Sequence, residues 1–271
     1  KIKFNTKVTD AAFDEKKGLW IVKTDDGLVT QARVLVPATG ALSHPKYPDI
    51  KGREKFKGVA IHAARWDHNV NLRGKRVAVI GTGACAIQVI PSVAPEVGAL
   101  TVFQRTPSWV MPKFNRKYTK KEHKSWSKHP WTQRAKRLGI YWSMEATLPA
   151  LLWYPKLLAA GEQVHKYNIR RAIKDPVLRE KLTPTYKVGC KRALVSDEYF
   201  PTFTRDNVEL VTEGIKKITA NGIETTDGKK FDLDVIIYAS GYEIGAAAYP
   251  YQIRGLKGVT LEEYWGSQRK A

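Results

Sequence analysis

The chain has 271 residues, enough for one large domain or two smaller ones, and its 43% hydrophobic share excludes a disordered polymer. Its two cysteines, Cys85 and Cys190, exclude a disulfide framework and a zinc-binding spacing, and suit a reducing compartment. A formal net charge of +20 asks for an acidic partner: nucleic acid, anionic lipid or a phosphorylated cofactor.

Residues 18–40, GLWIVKTDDGLVTQARVLVPATG, read as two alternating strands joined by a turn at Asp25-Asp26-Gly27. A buried strand is expected next, at Val34-Leu35-Val36, before Ala38-Thr39-Gly40. Residues 221–243, NGIETTDGKKFDLDVIIYASGYE, repeat that plan: strand, Asp-Gly turn, strand, the apolar run Val235–Tyr238, then Ala239-Ser240-Gly241. A hairpin feeding a buried strand therefore occurs twice. This suggests an outer domain interrupted by an insertion, or two related domains.

Between the copies lies GKRVAVIGTGACAIQVIPSVA, residues 74–94. Val77–Ile80 reads as a buried strand, and Gly81-Thr82-Gly83-Ala84-Cys85-Ala86 opens a helix. This is the dinucleotide fingerprint, with Ala86 in the third glycine slot. Gly81 permits a tight turn, Gly83 lets backbone approach a pyrophosphate, and the helix N-terminus favours the negative charge. The alternative is a tight strand–helix turn without ligand. The second strand, ALTVFQRTP at 99–107, ends on Gln104, Arg105 and Thr106 where an NAD site carries a carboxylate. A cation and a hydroxyl suit a 2′-phosphate, which favours NADPH over NADH; otherwise Arg105 is a surface arginine.

From 115 to 187 the pattern is helical, first basic and then aromatic. Residues 113–137 hold one acid, Glu122, and read either as a solvated helix pair or as a surface for an acidic partner, with Trp126 and Trp131 among the lysines. Residues 139–161 carry Glu145, Pro149, Pro155 and Lys156, which argues against a membrane span. The run reads as an insertion covering a substrate cavity, or as a surface segment anchored at a membrane by Trp142, Trp153 and Tyr154. In GCKRALVSDEYF, residues 189–200, Lys191 and Arg192 are adjacent cations that either serve a site or pair with Asp197 or Glu198.

One stretch remains. FKGVAIHAARWD, residues 56–67, fits the Baeyer–Villiger monooxygenase fingerprint F-x-G-x-x-x-H-x-x-x-W-[P/D] at Phe56, Gly58, His62, Trp66 and Asp67. The related N- and S-oxygenases carry Tyr or Phe in the slot of Trp66. ATG before it, and GTGACAIQ, FQRTP, GCKR and ASGYE after it, stand in the family's order. The chain therefore resembles this family over essentially its whole length.

The resemblance implies an α/β flavoprotein of two dinucleotide-binding domains, Rossmann-like and glutathione-reductase-like, with a helical insertion. On it, residues 1–55 would be part of an FAD domain and 56–204 an NADPH domain with an insertion at about 115–187. Residues 205–271 would return to the FAD domain. Gly81, Thr82, Gly83, Ala84, Cys85, Ala86 and Gln88 would hold the NADPH pyrophosphate. Arg105 and Thr106, assisted by Lys191, would hold its 2′-phosphate. Arg192 would be the catalytic arginine beside the flavin, and the fingerprint an interdomain element in which His62 transfers no proton. The implied activity inserts one oxygen atom of O2 beside a ketone carbonyl, giving an ester or lactone, with NADPH, FAD and a C4a-peroxyflavin. A fixed cation that stays charged would stabilise that anionic oxidant and the tetrahedral adduct.

The runner-up is a flavin-dependent N- or S-oxygenase; another class is a basic nucleic-acid or lipid-binding module. A disulfide reductase would need a C-x-x-C pair, which is absent from the sequence. No metal site is expected. The expected partners are a small ketone and O2 and not nucleic acid, in the cytoplasm, with peripheral membrane contact left open. Only the NADPH-side glycine fingerprint is present, so the sequence reads as an internal piece of a protein of roughly five hundred residues or more, its FAD domain incomplete at the N-terminus.

Overall fold

The computed structural model describes residues 2–266 apart from 41, 147, 150–152, 155–157 and 244–248. The chain divides into two units: Lys1–Asp49 with Ala64–Trp66 and Ser240–Ala271, and Ile50–Ala63 with Asp67–Ala239.

The first unit is built on a four-stranded sheet. β1 (Val8–Asp14), β2 (Leu19–Thr24) and β3 (Val29–Ala32) form an antiparallel meander, and a strand at Gln252–Arg254 adds parallel to β1. The turn between β2 and β3 is held by Asp26, which accepts from the Thr24 hydroxyl and from Leu28 N–H. Arg254 pairs with Asp10 at 2.6 Å, and Phe13 meets Trp20 edge-to-face across β1 and β2. The strand expected at Val34–Val36 does not form. Val34 and Val36 are 74% and 77% exposed, and no strand among the described residues pairs with them. An apolar run becomes a buried strand only when neighbours satisfy its backbone on both sides.

The second unit meets that condition. Its main sheet runs in the order β4 (Val59–His62), β13 (Val235–Tyr238), β5 (Arg76–Ile80), β6 (Ala99–Phe103), β9 (Val208–Val211), every pair parallel. Val77, Ala78, Val79, Ile236 and Ile237 are fully buried, as expected of strands covered on both faces. α1 (Ala86–Val93) crosses from β5 to β6 and buries Ile87, Ile90 and Val93. β10 (Ile215–Ile218), β11 (Gly222–Thr225) and β12 (Lys230–Asp232) form an antiparallel sheet. Its Ile218, Ile223 and Phe231 share one core cluster with Ala78, Phe103, Val211 and Ile236. Arg76 at the head of β5 clamps Asp234 at the head of β13, at 2.9 and 3.3 Å from two guanidinium nitrogens. These bonds, and one from the Arg76 N–H, pull the Asp234 carboxyl down to about 2.

The second unit opens at Ile50, and Lys51 O accepts from Ile218 N. It closes at Ala239: β9 and β13 belong to its parallel sheet and β10–β12 to its core.

Helices occupy much of 120–181. They are α2 (Lys120–Lys128), α3 (Pro130–Glu145), α4 (Leu158–Ala172) and α5 (Pro176–Lys181). Glu122, the lone acid of 113–137, has two uses. It completes a capping box with Thr119, and it accepts two bonds from Arg116 at 2.6 and 2.9 Å. Lys136 of α3 adds an ion pair at 3.6 Å, which ties α3 to α2. Those Arg116 bonds hold the Glu122 carboxyl far below its usual range. α4 buries His165 and Ile169 and packs against β7 (Val110–Met111) and α6 (Tyr199–Thr202); β7 pairs with β8 (Leu194–Val195). No described helix is long and apolar enough to cross a membrane.

Candidate functional site

The site is assembled at the C-terminal ends of β5 and β6, where open α/β sheets take their ligands. β5 stops at Ile80, and Gly81 turns the chain with φ +109°, a conformation that a side chain would strain. Gly81 N–H donates to Phe103 O at 3.0 Å, so the loop starts alongside β6. Gly83 and Ala84 are exposed, and a Cβ built on Gly83 would meet no atom within 4 Å. That free space is what a phosphate group would need in order to approach the backbone. No described group accepts from the N–H of Gly83, Ala84 or Cys85, which precede α1. Gln88 folds back to donate to Ala84 O at 2.9 Å, and buried Ala86 begins the helix.

Thr82 points inward and joins the loop to the tail of β6. Its hydroxyl donates to Thr106 O at 3.3 Å, and Ser108 donates to Thr82 O at 3.2 Å. The Tyr199 phenol is buried and hydrogen-bonds the Thr82 side chain; burial pushes its pKa well above the usual tyrosine range. Gln104 is buried and donates to Lys181 O at 2.6 Å. Arg105 next to it is exposed, with no ion-pair partner among the described residues. A bare cation at the end of β6, with no carboxylate in the 104–106 turn, suits an anionic group on a ribose.

Lys191 joins this cluster through a residue that the sequence did not single out. Its ammonium lies 4.7 Å from the centre of the Tyr186 ring, and the Tyr186 hydroxyl donates to Pro107 O at 3.2 Å. Neither Lys191 nor Arg192 pairs with Asp197. Burial pushes the Asp197 carboxyl up, but three N–H groups outweigh it and hold the pKa low: those of Lys113, Phe114 and Asn115, at 2.7, 3.1 and 2.8 Å. Arg192 is exposed and makes no described contact with the phosphate loop.

The 56–67 residues do not gather at this site. Phe56 packs on the core cluster, and Gly58 leaves no room for a Cβ, which would lie 2.5 Å from Asp234 O and from the Phe56 ring. His62 is buried on β4 opposite Tyr238. Trp66, half-buried, belongs to the first unit. Asp67 is exposed and accepts from the backbone and side chain of Asn69 at 2.9 and 3.0 Å, closing a turn. Among the described residues no cluster could hold a metal ion.

A βαβ unit with an open glycine loop and a cation past its second strand is the arrangement of a dinucleotide-binding fold. In agreement, residues 1–134 match the family of pyridine nucleotide-disulphide oxidoreductases. The chain is also similar to proteins named as monooxygenases. The chain is 41% identical over 265 residues to a Baeyer–Villiger monooxygenase of Streptomyces coelicolor, covering 97% of this chain and 51% of that protein. A Baeyer–Villiger monooxygenase of Pseudomonas aeruginosa is 37% identical, with 98% and 51% covered. Two solved structures superpose well. OTEMO in complex with FAD and NADP gives a TM-score of 0.83 at 33% identity, over 98% of this chain and 58% of that one. Cyclohexanone monooxygenase with bound ε-caprolactone gives 0.82 at 31%, over 98% and 59%. The chain is thus similar to Baeyer–Villiger monooxygenases along nearly its whole length, and it spans about half the length of the curated relatives it matches.

Proposed function

We propose that the protein is an FAD- and NADPH-dependent monooxygenase that inserts one oxygen atom of O2 next to a ketone carbonyl, giving an ester or lactone. The observation that carries the proposal is the continuous match, over 97% of the chain, to an enzyme named for this reaction. The geometry supports the NADPH half. The loop 81–86 offers backbone N–H groups and free space to the pyrophosphate, and Arg105 with Thr106 offers a cation and a hydroxyl to the 2′-phosphate. When bound, NADPH supplies the hydride and FAD the oxygen chemistry. The chain's own residues bind and orient. Thr82, Ser108 and Tyr199 fix the loop from below, and Lys191 adds positive charge beside the β6 tail. Arg192 is the proposed catalytic cation, a guanidinium that keeps its charge when water is excluded. The 56–67 segment, with Phe56 and Gly58 packed into the second unit and Trp66 in the first, is proposed to link the two units.

The test is turnover of a cyclic ketone and of an organic sulfide by the full-length protein with NADPH and O2. Lactone formation coupled to NADPH consumption is expected. Sulfoxide with no lactone from any of a panel of ketones would replace this reading with that of an S-oxygenase.

Peripheral contact with an anionic membrane is a second proposal, favoured by the α2–α3 surface. Lys120, Lys121, Lys124 and Lys128 are exposed on one side of α2, without ion pairs among the described residues. On α3, Trp131, Leu138 and Trp142 follow one another at helical spacing and are 68%, 57% and 64% exposed. Co-sedimentation with phosphatidylserine vesicles but not with phosphatidylcholine vesicles is expected; equal partition into both pellets, or into neither, would remove it.

A further inference from the structure

Tyr186 is half-buried just after α5 and makes three contacts that converge on the candidate coenzyme site. Its hydroxyl donates to Pro107 O at 3.2 Å, two residues beyond Arg105. Its carbonyl accepts from the Trp109 indole at 2.9 Å. Its ring lies under the Lys191 ammonium at 4.7 Å. We infer that Tyr186 is a positioning residue: it anchors to the 105–107 turn and holds Lys191 beside Arg105, and so sets the preference for a coenzyme that carries a 2′-phosphate.

The physical argument starts from Lys191 itself. It is exposed, lies on a loop and has no carboxylate partner among the described residues. A lysine free to sample its rotamers gives up much of its attraction for a phosphate to the entropy of being held. The face of an aromatic ring removes part of that cost, because its quadrupole attracts the ammonium without neutralising it. A carboxylate at the same place would orient Lys191 equally well and repel the phosphate. The Tyr186 phenol stays protonated at working pH, burial having raised its pKa, so it remains a donor to Pro107 O. Two separate bonds, from its own hydroxyl and from Trp109, keep the ring in register with the turn that carries Arg105.

The inference rests on the proposed coenzyme site, and the experiment separates the two. In the full-length protein, KM and kcat are measured with NADPH and with NADH for Lys191→Ala, Arg105→Ala, Tyr186→Phe, Tyr186→Leu and the double variant Tyr186→Leu with Lys191→Ala. Lys191→Ala should raise the KM for NADPH about tenfold or more, as the loss of one charged contact to phosphate does, and leave NADH within twofold. Tyr186→Leu should do the same in weaker form, with kcat unchanged. Tyr186→Phe keeps the ring and loses only the anchor, so about two- to fivefold is expected. On the Lys191→Ala background Tyr186→Leu should add nothing, because the tyrosine acts through the lysine. If Tyr186→Leu weakens both coenzymes equally, or adds its full effect to Lys191→Ala, Tyr186 is structural and the inference falls while the site stands. If Lys191→Ala and Arg105→Ala do not distinguish NADPH from NADH, the site reading falls and takes the inference with it. Should Tyr186→Leu fail to fold, Tyr186→Phe on the two lysine backgrounds carries the same comparison.

Discussion

His165 should make the helical region sensitive to mild acid. Its side chain is fully buried on α4, with its ring edge-on to Trp109 at 4.8 Å and to Phe200 at 5.4 Å. Nδ1 lies 3.1 Å from Val110 N and 3.2 Å from Val110 O, while Nε2 has no partner among the described residues. Burial, with Lys166 a lesser contributor, lowers its pKa from the usual 6.5 to about 4. A base whose folded pKa is depressed binds its proton more readily in the unfolded chain. Stability from this group is therefore complete above about pH 6.5 and is lost as pH falls toward 4. The fall from 6.5 to about 4, at about 1.4 kcal/mol for each pH unit, sets an upper bound of about 3.5 kcal/mol, a large share of an ordinary domain's stability. The perturbation is His165→Gln, which keeps a polar group near Val110 and removes the titration. Urea unfolding of both proteins, followed at half-unit steps from pH 7.5 to 4.5, reads the difference. The wild type should lose stability steadily below pH 6.5, and the variant should start lower and change less. A wild-type curve that is flat between pH 6.5 and 5, or a variant with the same slope, would refute the argument.

Three further outcomes are expected. Arg105→Ala should raise the KM for NADPH by about ten- to a hundredfold while changing that for NADH little, since one charged hydrogen bond to phosphate is removed; equal changes would count against Arg105 as the 2′-phosphate residue. Gly58→Ala should destabilise the second unit by about 1–3 kcal/mol, because its Cβ would lie 2.5 Å from Asp234 O and from the Phe56 ring, atoms of the core and not a mobile tip; thermal unfolding checks this, and an unchanged melting temperature would contradict it. Arg192→Ala should spare NADPH consumption in part and cut ester formed per NADPH consumed on the order of a hundredfold; near-normal coupling in a joint assay of NADPH, hydrogen peroxide and ester would make Arg192 a structural residue.

The parts of the fold legible in the sequence are those whose determinants are local. Strand β5, the loop at Gly81 and helix α1 are written in consecutive residues: an apolar run, a glycine that must take positive φ, and apolar positions at 87, 90 and 93. The hairpin of β11 and β12 and the run of β13 are equally local. The same kind of signal misleads at Val34–Val36, because an apolar run states a need for neighbours and not their presence. β13 has β4 and β5 on its two sides; the residues at 34–36 have no paired strand among those described. The extent of the second unit to Ala239 is likewise set by residues far apart in the chain. That β9 joins the sheet is decided by its pairing with β6, more than a hundred residues earlier, and no window around 205 contains that information.

The two adjacent cations of the 189–200 stretch show how far this limit reaches into the site. Read from the residues alone, Lys191 and Arg192 are adjacent cations that could each serve a site or pair with Asp197 or Glu198, and only the family resemblance gives them different roles. The structure separates them by contacts that no spacing rule encodes. Asp197 is taken up by three backbone N–H groups of 113–115, so it neutralises neither cation. Lys191 lies over the ring of Tyr186, five residues before it, and the Tyr186 hydroxyl reaches Pro107 across 79 positions of chain. Arg192, one residue on, shares none of those contacts and remains exposed. The divergence has a chemical sense under the proposed function. A group that binds a phosphate gains from being held in place before the ligand arrives. A guanidinium that must meet charge developing elsewhere gains from staying unpaired, since a carboxylate partner would cancel the field it is there to supply. The sequential adjacency of Lys191 and Arg192 therefore does not make them one functional pair, and their substitution should fail differently: in coenzyme choice for the lysine, in coupling for the arginine.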